Sequence, residues 1–293
     1  MRQVYRAIIA LVLTAGCVSA GGNCPRFQAG NKTGKIELKR INEASGMAAS
    51  RKNSDVLWVH NDDGPPCVYA LTPQGKHLGI YNLAGVFMYD WEDIAIGPGP
   101  DPNTDYLYIG AIGDNNSSRK SVTVFRVAEP NVDSNQPAVI TAVKGVERLD
   151  LVYPDGPRNA EVLMIDPLTK DIYIISKEET GRIYRAAYPQ ATTGKTKMEY
   201  VAKLPWGTAT GGDVSADGKM IIVRNYFGAS AWVRKKDEPL WKSFEGDECK
   251  IPLILESQGE AICFDANGTG YYTTSEKRHQ PIYYFPMDQQ KKI

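Results

Sequence analysis

The sequence predicts an all-β chain, most simply a β-propeller of five blades with four antiparallel strands each, on the strength of three observations. First, an apolar strand opened by an acidic or glycine-flanked segment recurs, beginning at Glu43, Trp91, Asn159, Gly211 and Gln258. Each start leads through a turn into a second strand rich in Tyr, Ile and Val, with a period of roughly 50 residues. Second, alternating or β-branched runs are everywhere, whereas helical spacing of apolar residues is never sustained. Third, 27 Gly and 18 Pro supply the tight turns that so many short strands require. With 293 residues and 42% apolar content, the chain is large enough to bury a substantial core.

Residues 1–20 read as a signal peptide: Arg2 and Arg6 form the basic region, Ala7 to Ala15 is apolar, and Val18-Ser19-Ala20 offers small residues for cleavage. That run is too short to span a bilayer, and no later stretch is long and apolar enough. A secreted, extracellular product beginning near Gly21 is expected. The alternative is a bacterial lipoprotein anchored through Cys17, because Thr14-Ala15-Gly16-Cys17 loosely matches a lipidation box. Residues 21–34 form an N-terminal extension, and 35–293 a single propeller domain.

The first blade takes strands from Gly46, Val56, Cys67 and His77; the second from Trp91, Asp105, Ser121 and Val146. The third uses Ala160, Asp171, Arg182 and Met198, and the fourth Gly212, Met220, Ala229 and a less regular outer segment ending at Leu253. The fifth has strands from Glu260, Gly270 and Pro281 and then lacks an outer strand. Lys35 to Ile41 alternates with period two and is the natural donor, closing the ring and removing a free edge. Six blades are the alternative, if the segment 237–256 hides further strands.

Export changes the reading of the cysteines. Cys24, Cys67, Cys249 and Cys263 remain after the leader is removed, and an even number outside the cell suggests disulfides. In this layout Cys24–Cys67 staples the ring shut and Cys249–Cys263 joins the last two blades. Sequons at Asn31, Asn115, Asn116 and Asn267 suit a glycoprotein. Without Arg2 and Arg6 the net charge is −2, and no basic stripe exists to neutralise phosphates, so nucleic acid is excluded as a partner.

Aligned innermost strands put Asp93, Glu161, Asp213 and Glu260 at one level around the channel, with Gly46 in the first blade, Glu92 beside Asp93 and Glu43 just before Gly46. Carboxylates facing one another repel, and hard oxygen ligands of this kind suit calcium. A second layer, at the ends of the second strands, contains Asn61, Asp62, Asp114, Lys177, Arg224 and Glu276, a rim suited to a polar ligand. His60 is the histidine placed where a general base would be useful, with Asp62 and Asp63 to orient it. No nucleophile elbow, P-loop or dinucleotide fingerprint occurs.

Trp91-Glu92-Asp93-Ile94-Ala95, Ile112-Gly113-Asp114-Asn115, Tyr153 to Arg158 with Ala160-Glu161, and Gly211-Gly212-Asp213 together resemble a group of secreted β-propeller proteins of bacteria and animals. The resemblance covers nearly the whole mature chain and implies the fold and export. More distantly, the architecture is similar to calcium-dependent propeller hydrolases, although none of their catalytic motifs matches here. The expected function is that of an extracellular or matrix binding protein with an axial calcium ion. Its expected partner is an extracellular protein, a glycan or a small polar ligand, met as a monomer. The alternative is a metal-dependent hydrolase of a phosphate or ester, using the axial acids with His60 as base.

Overall fold

Short runs of branched and aromatic side chains pair into antiparallel ladders, and five separate sheets of four or five strands result. The computed structural model describes residues 24–288; the expected signal peptide and Cys17 lie outside the described residues. Blade one comprises Ala44–Ala49, Leu57–Asn61, Cys67–Leu71 and His77–Leu83; blade two comprises Asp93–Pro98, Asp105–Ala111, Val122–Ala128 and Glu147–Val152. Blade three is built from Ala160–Ile165, Ile172–Ser176, Arg182–Ala186 and Glu199–Lys203. Blade four uses Gly211–Val214, Met220–Arg224, Ala229–Val233 and Cys249–Ile251. Blade five uses Gly259–Phe264, Gly270–Ser275 and Pro281–Pro286. The first strand of each blade packs against its counterparts on either side, so these strands line a closed five-membered ring.

Ring closure uses an N-terminal strand, but it is Asn31–Lys35 rather than Lys35 to Ile41. Asn31 pairs with Tyr284 and Lys35 with Pro281, so the strand ends where the expected one begins. The apolar members of the following segment, Ile36 and Ile41, are fully buried between blades five and one, and this burial draws the segment inward as a crossover. Two further strands were not legible: Val139–Val143 adds to the outside of blade one, and Lys195–Lys197 to the outside of blade two, both in parallel. The segment expected to hide a sixth blade holds a 3-10 helix, Leu240–Glu245, whose Phe244 packs 5.1 Å from the Trp232 ring.

One hydrophobic cluster fills each seam between neighbouring blades. Trp58, Trp91 and Trp232 are fully enclosed there, and burying one large apolar side chain contributes about 1.5–3 kcal/mol. The disulfide is Cys24–Cys249, not either expected pair. Upstream of its strand the chain continues along the last strand of blade five, where Phe27 bridges to Met287, and this course carries Cys24 to the outer strand of blade four. Cys67 and Cys263 stay reduced and buried in the cluster between blades five and one, behaving as small apolar residues. The sequon residues Asn31, Asn115, Asn116 and Asn267 are all exposed. Among the described residues no helix is long and apolar enough to cross a membrane.

Candidate functional site: the acidic mouth of the channel

First and second strands of every blade are antiparallel, so the beginnings of the former and the ends of the latter meet at one end of the channel. The four acids expected on one level divide into two pairs with different partners. Asp93 accepts the backbone N–H of Ile94 at 2.8 Å and that of Leu163, in the next blade, at 3.0 Å. Asp213 does the same with Val214 at 2.8 Å and Phe264, across the next seam, at 2.9 Å. These two carboxylates tie blade two to three and blade four to five. Burial still holds both above the usual carboxylate range, Asp213 at about 6.

Glu161 and Glu260 lie nearer the mouth. Each falls in a β-bulge, between Ala160 and Val162 and between Gly259 and Ile262, which shifts it relative to the regular ladder of blade four. Lys177 pairs with Oε1 of Glu161 and also donates to the Tyr226 hydroxyl at 3.1 Å. Tyr226 in turn donates to Glu260 Oε1 at 2.8 Å, so a polar chain spans three blades. Oε2 of Glu161 is buried with no hydrogen-bond partner. Burial pushes Glu161 up to about 7 despite Lys177.

Also at the mouth, ligand oxygens of Asp62, Asp90 and Glu92 lie within 4.8 Å of one another. Glu92 is 7% exposed, and no hydrogen bond reaches its carboxylate among the described residues. Its Oε1 and the Asp90 carboxyl lie over Gly113, where a Cβ would sit 2.1 Å from the former and 2.5 Å from the Cγ of the latter. The glycine of Ile112-Gly113-Asp114 is therefore required by close approach. Asp90 holds a left-handed backbone with φ 55°, its carbonyl accepting the Gly113 N–H. Burial first, and then the charges of Glu161, Asp62, Asp90 and Glu260, push Glu92 up to about 10. Asp62 is raised to about 6, and Glu276 to about 8, by burial and by the same crowd of acids.

The remaining rim residues serve the scaffold. Asn61 accepts the N–H groups of Asn42 and Glu43 at 3.3 Å and donates to the Arg40 carbonyl at 2.8 Å, pinning the incoming chain. Asp114 caps its own loop through the Arg119 N–H at 2.7 Å. Arg224 is fully buried, paired with Glu256 at 2.9 Å and donating to the Ala261 carbonyl at 3.2 Å. Gln258 donates to Glu276 at 2.6 Å.

His60, the residue expected to be placed as a general base, is enclosed. It has no exposed surface, its Nδ1 donates to the Asn61 carbonyl at 2.8 Å, and the Trp91 ring stands edge-on 5.8 Å away. Burial pulls it down to about 4, so the ring is neutral at physiological pH. It also explains the missing acid of blade one: a Cβ on Gly46 would lie 2.6 Å from His60 Nε2 and 2.6 Å from the Ile94 nitrogen.

Asp90 is the site residue that sequence reasoning missed, whereas Glu92 and Tyr226 were within its reach. Glu92 and Tyr226 had a signal, standing beside Asp93 and beyond the end of a second strand. Asp90 had none, because an irregular crossover positions it.

Around the acids stand exposed apolar side chains on the mouth loops: Phe87 at 87%, Tyr89 at 60%, Phe227 at 82% and Leu255 at 73% exposure. Arg119 lies over the Tyr89 ring at 4.7 Å.

No protein-family model matches the chain, and no curated protein does. The fold is that of a five-bladed β-propeller. Among solved structures, a nidogen/laminin complex contains a chain similar over 80% of this one and 73% of its own length, with 14% identity and a TM-score of 0.45. Raptor of Chaetomium thermophilum is similar over 91% of this chain and 30% of its own length, with 8% identity and a TM-score of 0.46. Likenesses at this level say nothing of ligand or activity.

Proposed function

We propose that the protein is an exported binding protein whose recognition surface is the mouth of its propeller. The partner is an extracellular protein with a basic side chain set among apolar ones. One observation carries this reading: strongly exposed Phe87, Tyr89, Phe227 and Leu255 stand on loops at the same end of the channel as a group of acids that the few nearby cations do not neutralise. Exposed apolar groups around a charged centre match the anatomy of docking surfaces, where aromatic anchors supply affinity and charge supplies steering. The Cys24–Cys249 disulfide is consistent with an oxidising compartment outside the cytosol. The binding reading is favoured over a hydrolase because His60, the base a hydrolase would use here, has no exposed surface.

Expression with the native leader in secreting cells tests export; the mature chain should appear in the medium, starting near Gly21. Capture from extracellular extracts tests recognition, comparing the wild type with Phe87→Ser/Phe227→Ser and with Leu168→Ser, which lies at the opposite end of the channel. A partner retained by the wild type and the Leu168 variant but lost by the double variant supports the reading. A captured set indifferent to the mouth variant sinks it.

A further inference from the structure

We propose that a calcium ion binds between Asp62, Asp90 and Glu92 at the mouth of the channel, beside Glu161. This deepens the binding reading by giving its acidic well a resident cation, but it is measured on the isolated chain, so either can fail without the other.

Geometry comes first. The three carboxylates place ligand atoms within 4.8 Å of one another. Two oxygens on opposite sides of a calcium ion stand about 5 Å apart, twice the calcium–oxygen bond length. Calcium takes about six to eight oxygens, so these side chains leave positions for water or for an acceptor on a docked partner.

Unmet bonding comes second and is independent of the clustering. Glu92 is 7% exposed and no protein donor reaches its carboxylate among the described residues, so only water or a cation at the mouth is left to meet it. Glu161 Oε2 is fully buried and unpartnered, and among neighbouring charges Glu161 acts most strongly on Glu92. A sheltered acid without a donor is disfavoured as a carboxylate, and a cation beside it supplies the missing charge. Nearby cations are committed elsewhere: Lys177 to Glu161 and Tyr226, and Arg119 to the Gly113 carbonyl at 2.6 Å and the face of Tyr89.

Third, the carboxylates are cradled. Asp90 and Glu92 lie against bare Gly113, and the Asp90 and Trp91 backbones are hydrogen-bonded to Gly113 and Asp62. The acids thus sit on a braced loop, as a preorganised coordination site requires.

Trp91 sits between two of the proposed ligands in sequence and is a built-in reporter. Terbium, a calcium surrogate, should show saturable emission when tryptophan is excited, displaced by calcium with an affinity near the about 0.1–1 mM typical of extracellular modules. Glu92→Gln and Asp90→Asn should each weaken binding by about tenfold or more, while Asp217→Asn, remote from the mouth, leaves it unchanged. Trp91→Phe should abolish the sensitised emission while calorimetric calcium binding persists. Circular dichroism confirms that each variant is folded, and Asp62→Asn substitutes for any that is not. Absence of saturable emission from the wild type up to millimolar terbium overturns the proposal. So does binding indifferent to the folded ligand variants.

Discussion

Removing the Cys24–Cys249 disulfide should cost the protein more than any single core truncation. The bond joins residues 225 positions apart, so it closes nearly the whole propeller into one covalent loop. In the chain-entropy treatment a loop of that length restricts the unfolded chain by about 5 kcal/mol at room temperature. The figure is an upper bound on the entropic part, since compact unfolded chains already bring their ends closer. A native contribution adds to it: Cys24 holds the arm that lays Phe27 edge-on against Tyr271 at 4.8 Å, and fraying would expose that ring. The double variant Cys24→Ser/Cys249→Ser avoids an unpaired thiol that would exchange with newly exposed Cys67 or Cys263. Urea denaturation followed by tryptophan fluorescence is the assay, with the variant expected to unfold at markedly lower urea. A stability loss below about 1 kcal/mol would refute the reasoning, because it would mean the closure does not constrain the unfolded state. Non-reducing peptide mapping that linked Cys24 to Cys67 would refute the connectivity itself.

Other consequences can be measured in the same way. Asp93→Ala leaves the Ile94 and Leu163 N–H groups without an acceptor and should destabilise by about 2–5 kcal/mol in urea; a loss under 1 kcal/mol (roughly one ordinary hydrogen bond) would contradict the inter-blade tie. Gly46→Ala drives a methyl into the Ile94 backbone nitrogen and should cost about 1–3 kcal/mol, with His60 displaced from its edge-on contact with Trp91 in NMR spectra. Asp213 is held at about 6 in the native state against 3.8 unfolded, so the folded form binds the extra proton between those values and stability falls as pH rises through that window. Its partial exposure trims the effect to about 2 kcal/mol. The stability difference between wild type and Asp213→Asn should therefore slope from pH 4 to 7, and a flat difference would exclude it. Glu276→Gln removes one acid from the crowded mouth and should raise the melting temperature in chelator; a lower one would mean that its bond from Gln258 outweighs the repulsion.

The five-blade architecture was legible because each blade repeats the same local chemistry: a small or acidic start, a turn, and branched strands of period two. What blurred the site was register. Bulges at Ala160–Val162 and Gly259–Ile262 each insert residues that a simple alignment ignores, so Glu161 and Glu260 rise toward the mouth while Asp213 stays deeper in the ladder. Tying acids and facing acids consequently looked alike in sequence. Asp90 was hidden in a crossover whose shape follows from packing between two blades. The disulfide was misread for a related reason, because the course of the chain before Asn31 is set by contacts with blade five rather than by local pattern.

Two strands cross seams in a way that ties the order of assembly to the order of synthesis. The fifth strand of blade one is Val139–Val143, which follows three strands of blade two, and the fifth strand of blade two is Lys195–Lys197, within blade three. The outermost strand of blade five, Asn31–Lys35, is made before any other described strand. During synthesis, then, the first blade waits for the second, the second waits for the third, and the earliest strand waits for the last. Such long-range pairings slow folding. They leave a growing chain with open sheet edges until its final strands emerge, which makes the nascent form the state most exposed to mispairing with other chains.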